Sequence, residues 1–201
     1  MKLNEKVYKY DVIVYIGRFE PYHTGHDALV RLGLLLGKIV VIVLGSADEP
    51  RTRKNPLAAL EREMLMSGCF TGADRARLRF AAVADTGDNE SWVADVQAAV
   101  AQKAPGAARI ALLGHFKDAS SYYLNHFPTW HLESVSRANE LDATTVRKVM
   151  FDQTRTLEAR IEQLRGMVPA GALAFLEQWM STDDFRALAE KEVAVPTSAQ
   201  V

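Results

Sequence analysis

Along the chain, short runs of Val, Ile and Leu alternate with stretches whose apolar positions recur at helical spacing. Runs that are apolar at consecutive positions suit strands buried on both faces, as in parallel sheets covered by helices. The pattern predicts strands over 11–16, 38–44, 78–83, 109–113 and, less sharply marked, 130–135. Between them it predicts helices over 25–36, 56–69, 91–103 and 118–126. In the second helix Asn55 supplies a cap and Pro56 a first residue of fixed φ, while Leu57, Leu60, Met64 and Leu65 fall on one face. Strands alternating with helices through right-handed crossovers predict an α/β fold, a doubly wound parallel sheet whose ligands sit beyond the carboxyl ends of the strands.

Beyond Leu141 the pattern becomes wholly helical. Asp142 caps a helix running through Phe151; helices over 154–165 and 169–180 follow, and Ser181 with Asp184 opens a fourth in a capping-box pattern. The expected organisation is a principal domain over 1–151 with a C-terminal helical extension, 152–201, packed on it and frayed at its tail.

Composition narrows the partners. With 24 basic and 25 acidic side chains, the net charge of −1 gives no bulk attraction to nucleic acid or an anionic membrane, so any anion site is local. One cysteine, Cys69, excludes an internal disulfide framework and a cysteine-rich zinc site, which fits a reducing compartment; it reads as a packing residue. The opening "MKLNEKVYKYD" lacks the apolar core of a secretory signal. The longest apolar run, around 39–44, falls far short of the roughly 20 residues that span a bilayer. A cytoplasmic protein is expected.

The stretch "GRFEPYHTGH" lies where the first strand gives way to the first helix. His23 and His26, three apart at a helix start, can face the same way, towards unpaired N–H groups and the positive end of the helix dipole. Gly25 leaves room for a close backbone approach, and Arg18 adds a cation. Together they form a nest of donors for a polyphosphate. An isolated H-x-x-H is more often a surface or capping pair, and as a metal pair this one has no Cys or suitably spaced carboxylate to complete it. Arg51, Arg53 and Lys54 set three cations beyond the second strand. Taken alone such a cluster is usually a solvated face; beyond a strand's carboxyl end in a nearly neutral chain it reads as an anion site.

GRFEPYHTGH resembles the HxGH signature of the nucleotidyltransferase superfamily. "SADEPRTRKNPLAALERE", "GHFKDASSYYLNHFP" and "LDATTVRKVMF" make the chain similar to nicotinamide mononucleotide (NMN) adenylyltransferases, in particular the adenylyltransferase half of bacterial proteins fused to a Nudix hydrolase. The likeness covers about 12–151, and no Nudix box follows it. It implies a Rossmann-like fold that transfers AMP from ATP to NMN, releasing pyrophosphate, with Mg²⁺ carried by ATP. It implies roles for Gly17, Arg18, Phe19, His23, Gly25, His26, Gly114, Lys117, Asp118, Thr144, Thr145 and Arg147 around ATP. Arg51, Arg53, Lys54, Asn55 and Trp92 would serve NMN; for Trp92, at a helix start where a tryptophan is more often a core residue, the resemblance sets stacking on the nicotinamide ring beside core packing as an equal alternative. His115, Ser120 and Ser121 belong to the stretch bordering the nucleotide, whereas Tyr122, Tyr123 and Leu124 read as packing. Asp142 stands where the superfamily's second signature often has Ser, and reads as a helix cap. The resemblance also leaves room for a homo-oligomer.

A mononucleotide phosphate is already ionised near neutral pH, so attack on the ATP α-phosphate needs no base. It needs two polyanions aligned and donors aimed at the developing charge, the role expected of His23, His26, Arg18, Lys54 and Arg147. Two alternatives stand beside this expectation. One is the same chemistry on another phosphate acceptor: nicotinic acid mononucleotide, phosphopantetheine, or a sugar or alcohol phosphate. The other is a nucleotide-sensing module without turnover.

Overall fold

The computed structural model describes residues 7–114, 125–135 and 141–190. Five parallel strands, β1 (Tyr10–Gly17), β2 (Gly37–Leu44), β3 (Leu78–Ala82), β4 (Ile110–Gly114) and β5 (His131–Ser134), form one sheet in the order β3-β2-β1-β4-β5. The order reverses at β1, whose neighbours are β2 and β4, and the crevice for a ligand opens at such a switch point. The expected doubly wound sheet is therefore present.

Alternation along each strand divides its side chains between two layers. Ile13 and Tyr15 of β1 and Val40, Ile42 and Leu44 of β2 enter a core completed by α1 (Thr24–Leu36), α2 (Ala59–Ser67) and the four later helices. Those are α5 (Ala143–Met150), α6 (Leu157–Leu164), α7 (Ala170–Trp179) and α8 (Asp183–Glu190). Val12, Val14, Ile16, Val41 and Val43 face the other way, onto Val96 and Val100 of α4 (Asn89–Lys103) and onto Phe127. A short helix, α3 (Gly72–Arg75), had no counterpart in the sequence pattern. In the first core Gly171 of α7 lies so close to Gly68 that a Cβ there would sit 2.2 Å from the Gly68 carbonyl oxygen, so the approach of α7 to α2 requires glycine.

Three expectations are corrected. Helix α2 begins at Ala59, not Pro56: Arg51 donates to the Pro56 carbonyl, and Asn55 is held in a turn by Thr52. Leu60 and Met64 are accordingly 67% and 56% exposed, and the buried face is Arg62, Leu65 and Met66. Helix α6 starts after Thr156, whose hydroxyl accepts from Ala159 N–H, because Thr154 is tied to Asp152. At α8 the hydroxyl that accepts from the first turn, from Phe185 N–H, belongs to Thr182, while Ser181 donates back to Glu177.

Most of the helix expected over 118–126 lies outside the described residues, as does the tail from 191. Among the described residues no helix is long and apolar enough to cross a membrane. Cys69 is half-buried with Sγ 3.3 Å from the Leu65 carbonyl oxygen, and burial pushes its thiol up to about 12.

Candidate active site

Two aromatic rings of the segment leaving β1, Phe19 and Tyr22, pack against the imidazole of His26. Phe19 adopts a positive φ of 54° and turns its ring over Gly17, where a Cβ would come within 2.9 Å of it. Phe19 also meets His26 edge-on at 5.0 Å, and Tyr22 stacks on the same imidazole at 5.8 Å. Phe19 and Tyr22 are buried, so any contact of Phe19 with a ligand is through its backbone.

His23, 6% exposed, is the N-cap of α1. Its Nδ1 accepts from Gly25 N–H at 3.1 Å, and its own N–H donates to His26 Nδ1 at 3.4 Å. This is a capping box in which two imidazoles take the places usually filled by hydroxyl and carboxylate. The rings stack 3.7 Å apart. A neutral imidazole that accepts at Nδ1 carries its proton on Nε2, so one capping motif fixes the tautomer of both rings and makes each a donor at Nε2.

Arg147 joins them from α5. Its guanidinium donates to the Glu20 carbonyl at 2.5 Å and to Thr144 Oγ1 at 3.2 Å, which docks the second signature against the histidine loop. Burial, then the nearby charge of Arg18, lowers its pKa against the pull of Glu20. Asp142 caps α5 as expected, accepting from both the N–H and the hydroxyl of Thr145 at 2.7 and 2.9 Å. Thr144, rather than Thr145, is thus the hydroxyl beside the arginine. Arg18 is exposed and donates to Asn55 Oδ1 at 3.3 Å.

The second cation cluster divides. Arg51 pairs with Glu61 at 2.6 Å and Asp184 at 3.3 Å. Arg53 donates to the carbonyls of Leu188 and Ala189, at 3.1 and 2.5 Å, and lies over the Phe151 ring. Arg51 is thus held between α2 and α8 and Arg53 against α8, the contacts that these two residues, expected to serve NMN, make in this structure. Lys54 is exposed, and Asn55 meets Arg18.

Beneath the loops lies a pair that sequence reasoning missed. Arg62 and Glu20 are 1% and 3% exposed, with Arg62 Nε 3.2 Å from Glu20 Oε1 but without hydrogen-bond alignment. Arg62 donates to the carbonyls of Arg18 and Gly45, both at 2.8 Å, and Glu20 accepts from Leu57 N–H at 3.0 Å. One arginine therefore fastens the loop after β1 to the loop after β2. Burial pushes Glu20 up to about 7, against the opposing pull of Arg62, the Leu57 N–H, Arg147 and Arg18. The only signal in the sequence was Glu20 set among Phe19, Pro21 and Tyr22 in "RFEPY"; Arg62, flanked by Glu61 and Glu63, gave none.

On the α4 side of β1 a cleft of about 380 Å³ is lined by Gly17, Arg18, Gly45, Ser46, the loop from Asp85 to Asn89, and Trp92. Trp92 is half-buried and meets Phe127 edge-on at 6.0 Å, so it both packs and lines the cleft. Ser46, at a positive φ of 49°, donates to Asp85 at 2.7 Å. Asp88 caps α4. Gly114 ends β4 as a buried residue; His115, Lys117, Asp118, Ser120, Ser121, Tyr122, Tyr123 and Leu124 lie outside the described residues.

A model of cytidylyltransferase-like proteins matches residues 14–184. The chain belongs to the cytidylyltransferase-like family. It is similar to the nicotinamide/nicotinic acid mononucleotide adenylyltransferase of Acinetobacter baylyi, at 33% identity over 193 residues, 96% of this chain and 98% of that one. Over 83 residues it is 39% identical to the nicotinamide-nucleotide adenylyltransferase of Ignicoccus hospitalis, covering 40% of this chain and 48% of that one. The crystal structure of a bifunctional NMN adenylyltransferase/ADP ribose pyrophosphatase from Francisella tularensis, complexed with AMP and a manganese ion, superposes with a TM-score of 0.76 at 26% identity. That match covers 90% of this chain and 52% of the other, so the chain spans about half of the bifunctional protein. The resemblance read from the four motifs therefore holds.

In this cytidylyltransferase-like chain the carboxyl end of β1 separates two environments. The imidazoles, the α1 N-terminus and Arg147 occupy one side, and the Trp92 cleft the other, with Gly17 and Arg18 on the border. Among the described residues no group of three or more His, Cys, Asp or Glu side chains is placed to hold a metal ion.

Proposed function

We propose that the protein is a nicotinamide-nucleotide adenylyltransferase that transfers AMP from MgATP to NMN, giving NAD and pyrophosphate. The observation that carries this reading is the two-sided edge of β1 in a chain that aligns almost end to end with the Acinetobacter enzyme. His23 and His26, through Nε2–H, together with Arg18, Lys54 and Arg147, would receive charge building on the α-phosphate and the leaving pyrophosphate. The Trp92 cleft would take the pyridine ring. Mg²⁺ would bridge ATP phosphates, and no proton transfer is required of the protein because the attacking phosphate is already ionised. The protein's contribution is alignment and preorganised donors.

Carboxylates of Asp85 and Asp88 line the cleft, which favours a carboxamide over a carboxylate on the ring and so NMN over nicotinic acid mononucleotide. The name of the Acinetobacter relative includes both acceptors, so the second remains the competing substrate. The test is to incubate the protein with MgATP and each of NMN, nicotinic acid mononucleotide and phosphopantetheine, and to identify the product by mass along with released pyrophosphate. NAD as the principal product supports the reading; tight ATP binding with no pyrophosphate released from ATP in the presence of any acceptor overturns it.

A further inference from the structure

The loop over 51–55 joins β2 to the turn before α2, and its sequence reads as three cations waiting for an anion. Its contacts say otherwise for two of them. Arg53 spans two successive carbonyls of α8, those of Leu188 and Ala189. Its guanidinium lies 5.1 Å from the Phe151 ring centre, and Phe151 stacks on Phe185 of α8, also at 5.1 Å. Arg51 is held between Glu61 of α2 and Asp184 of α8, and Trp179 of α7 donates to Glu61 at 3.2 Å. The loop is closed on itself by Thr52 N–H to the Asn55 carbonyl and by Asn55 N–H to Thr52 Oγ1, both at 3.1 Å. Asn55 then accepts from Arg18, which lines the cleft. The same helical region reaches the histidine loop as well, because Thr24 N–H at the start of α1 donates to the Met167 carbonyl at 3.0 Å.

We propose that α8 is a clamp on the loop over 51–55, with Arg51 and Arg53 as positioning residues that set Asn55, Lys54 and Arg18 at the edge of the nucleotide site. This gives the C-terminal helices a role in substrate alignment. It rests on the proposed function only in taking that edge as the nucleotide site. A bidentate, ring-stacked guanidinium is not replaced by an ammonium, which cannot bridge two carbonyls in one plane. A loop displaced by an ångström is enough to lose much of an alignment effect.

The test uses the full-length protein and two variants that keep every tryptic site of the loop, Asp184→Asn and Arg53→Lys. Cleavage by trypsin at Arg51, residue 53 and Lys54, ATP affinity by calorimetry, and steady-state kinetics are compared with the unaltered protein, with thermal melting as the control for folding. The clamp predicts faster cleavage in both variants and ATP affinity weakened about threefold in Asp184→Asn, where the carboxylate itself is largely exposed, and about tenfold in Arg53→Lys. KM should rise with kcat at saturation largely kept. If Arg51 were instead an anion ligand restrained by Asp184, Asp184→Asn would tighten ATP or NMN binding and leave cleavage unchanged, and either result overturns the proposal. Faster cleavage with unaltered affinity also overturns it, since the loop would then be held without positioning anything. If the unaltered protein forms no dinucleotide with any acceptor, the functional reading fails by itself, while cleavage and ATP affinity still decide the clamp.

Discussion

The loops after β1 and β2 leave neighbouring strands at the same end of the sheet, and both carry clustered cationic or imidazole side chains. In the first, His23 and His26 take their geometry from residues within three positions: the ring nitrogens cap the helix that the same stretch begins. In the second, Arg53 is held by residues more than 130 positions away, and Arg51 is shared between its near neighbours Pro56 and Glu61 and the equally distant Asp184. A local motif carries its own orientation, whereas a long flexible side chain goes to whichever acceptor the tertiary fold brings near. The same charge in sequence thus has a different use in each loop.

The comparison can be broken most forcefully at the strut between the loops. Arg62→Ala should cost about 3–5 kcal/mol of unfolding free energy, because it leaves Glu20 buried without its partner and frees two carbonyls. Urea titration measures this; a loss under about 1 kcal/mol would show that the loops hold each other without it. Next, His26→Ala should lower the rate of pyrophosphate release about 100- to 1,000-fold with little change in melting, the size expected for one preorganised donor. Near-normal turnover would make the first loop as structural as Arg51 and Arg53.

Glu20 sharpens the comparison through pH. Its folded pKa, about 7, lies above its ordinary 4.5, so between these values the folded chain binds more protons than the unfolded one. The stability this group contributes is fully present below about 4.5 and is lost as pH rises through about 7. Glu20→Gln should therefore show a flatter stability profile than the unaltered protein across that window; parallel profiles would mean that Arg62 keeps the carboxylate charged throughout. The smallest effect is expected for Asn55→Ala, about threefold in KM for ATP, since its 3.3 Å bond to Arg18 is exposed to solvent. No change would detach the second loop from the site altogether.

Much of the fold was legible because burial on both faces writes itself as unbroken apolar runs. Each predicted strand lies within a residue or so of its observed bounds. The start of α2 was misread because Asn55-Pro56 is a good local helix signal, overridden here by Thr52 holding Asn55 in a turn and by Arg51 taking the Pro56 carbonyl. Leu60 and Met64 followed that error to the solvent side, and the inner face went to Arg62, a residue whose type predicts exposure. Within the site, His23, His26, Thr144 and Arg147 could be found from motif spacing. Glu20, Arg62 and the acidic loop from Asp85 to Asn89 could not, because each acquires its meaning from a neighbour on another strand or helix.

The sequence by itself determined the alternation of strands and helices, the helix start carrying two imidazoles, and the family to which the chain belongs, since periodicity and short motifs are properties of adjacent residues. Only the tertiary structure decided which cations border the cleft and which fasten the helices. The reason is range: a guanidinium on three methylenes chooses among acceptors several ångströms apart, and the acceptors that won, the α8 carbonyls for Arg53 and the Gly45 carbonyl for Arg62, are backbone atoms that no side-chain pattern reveals.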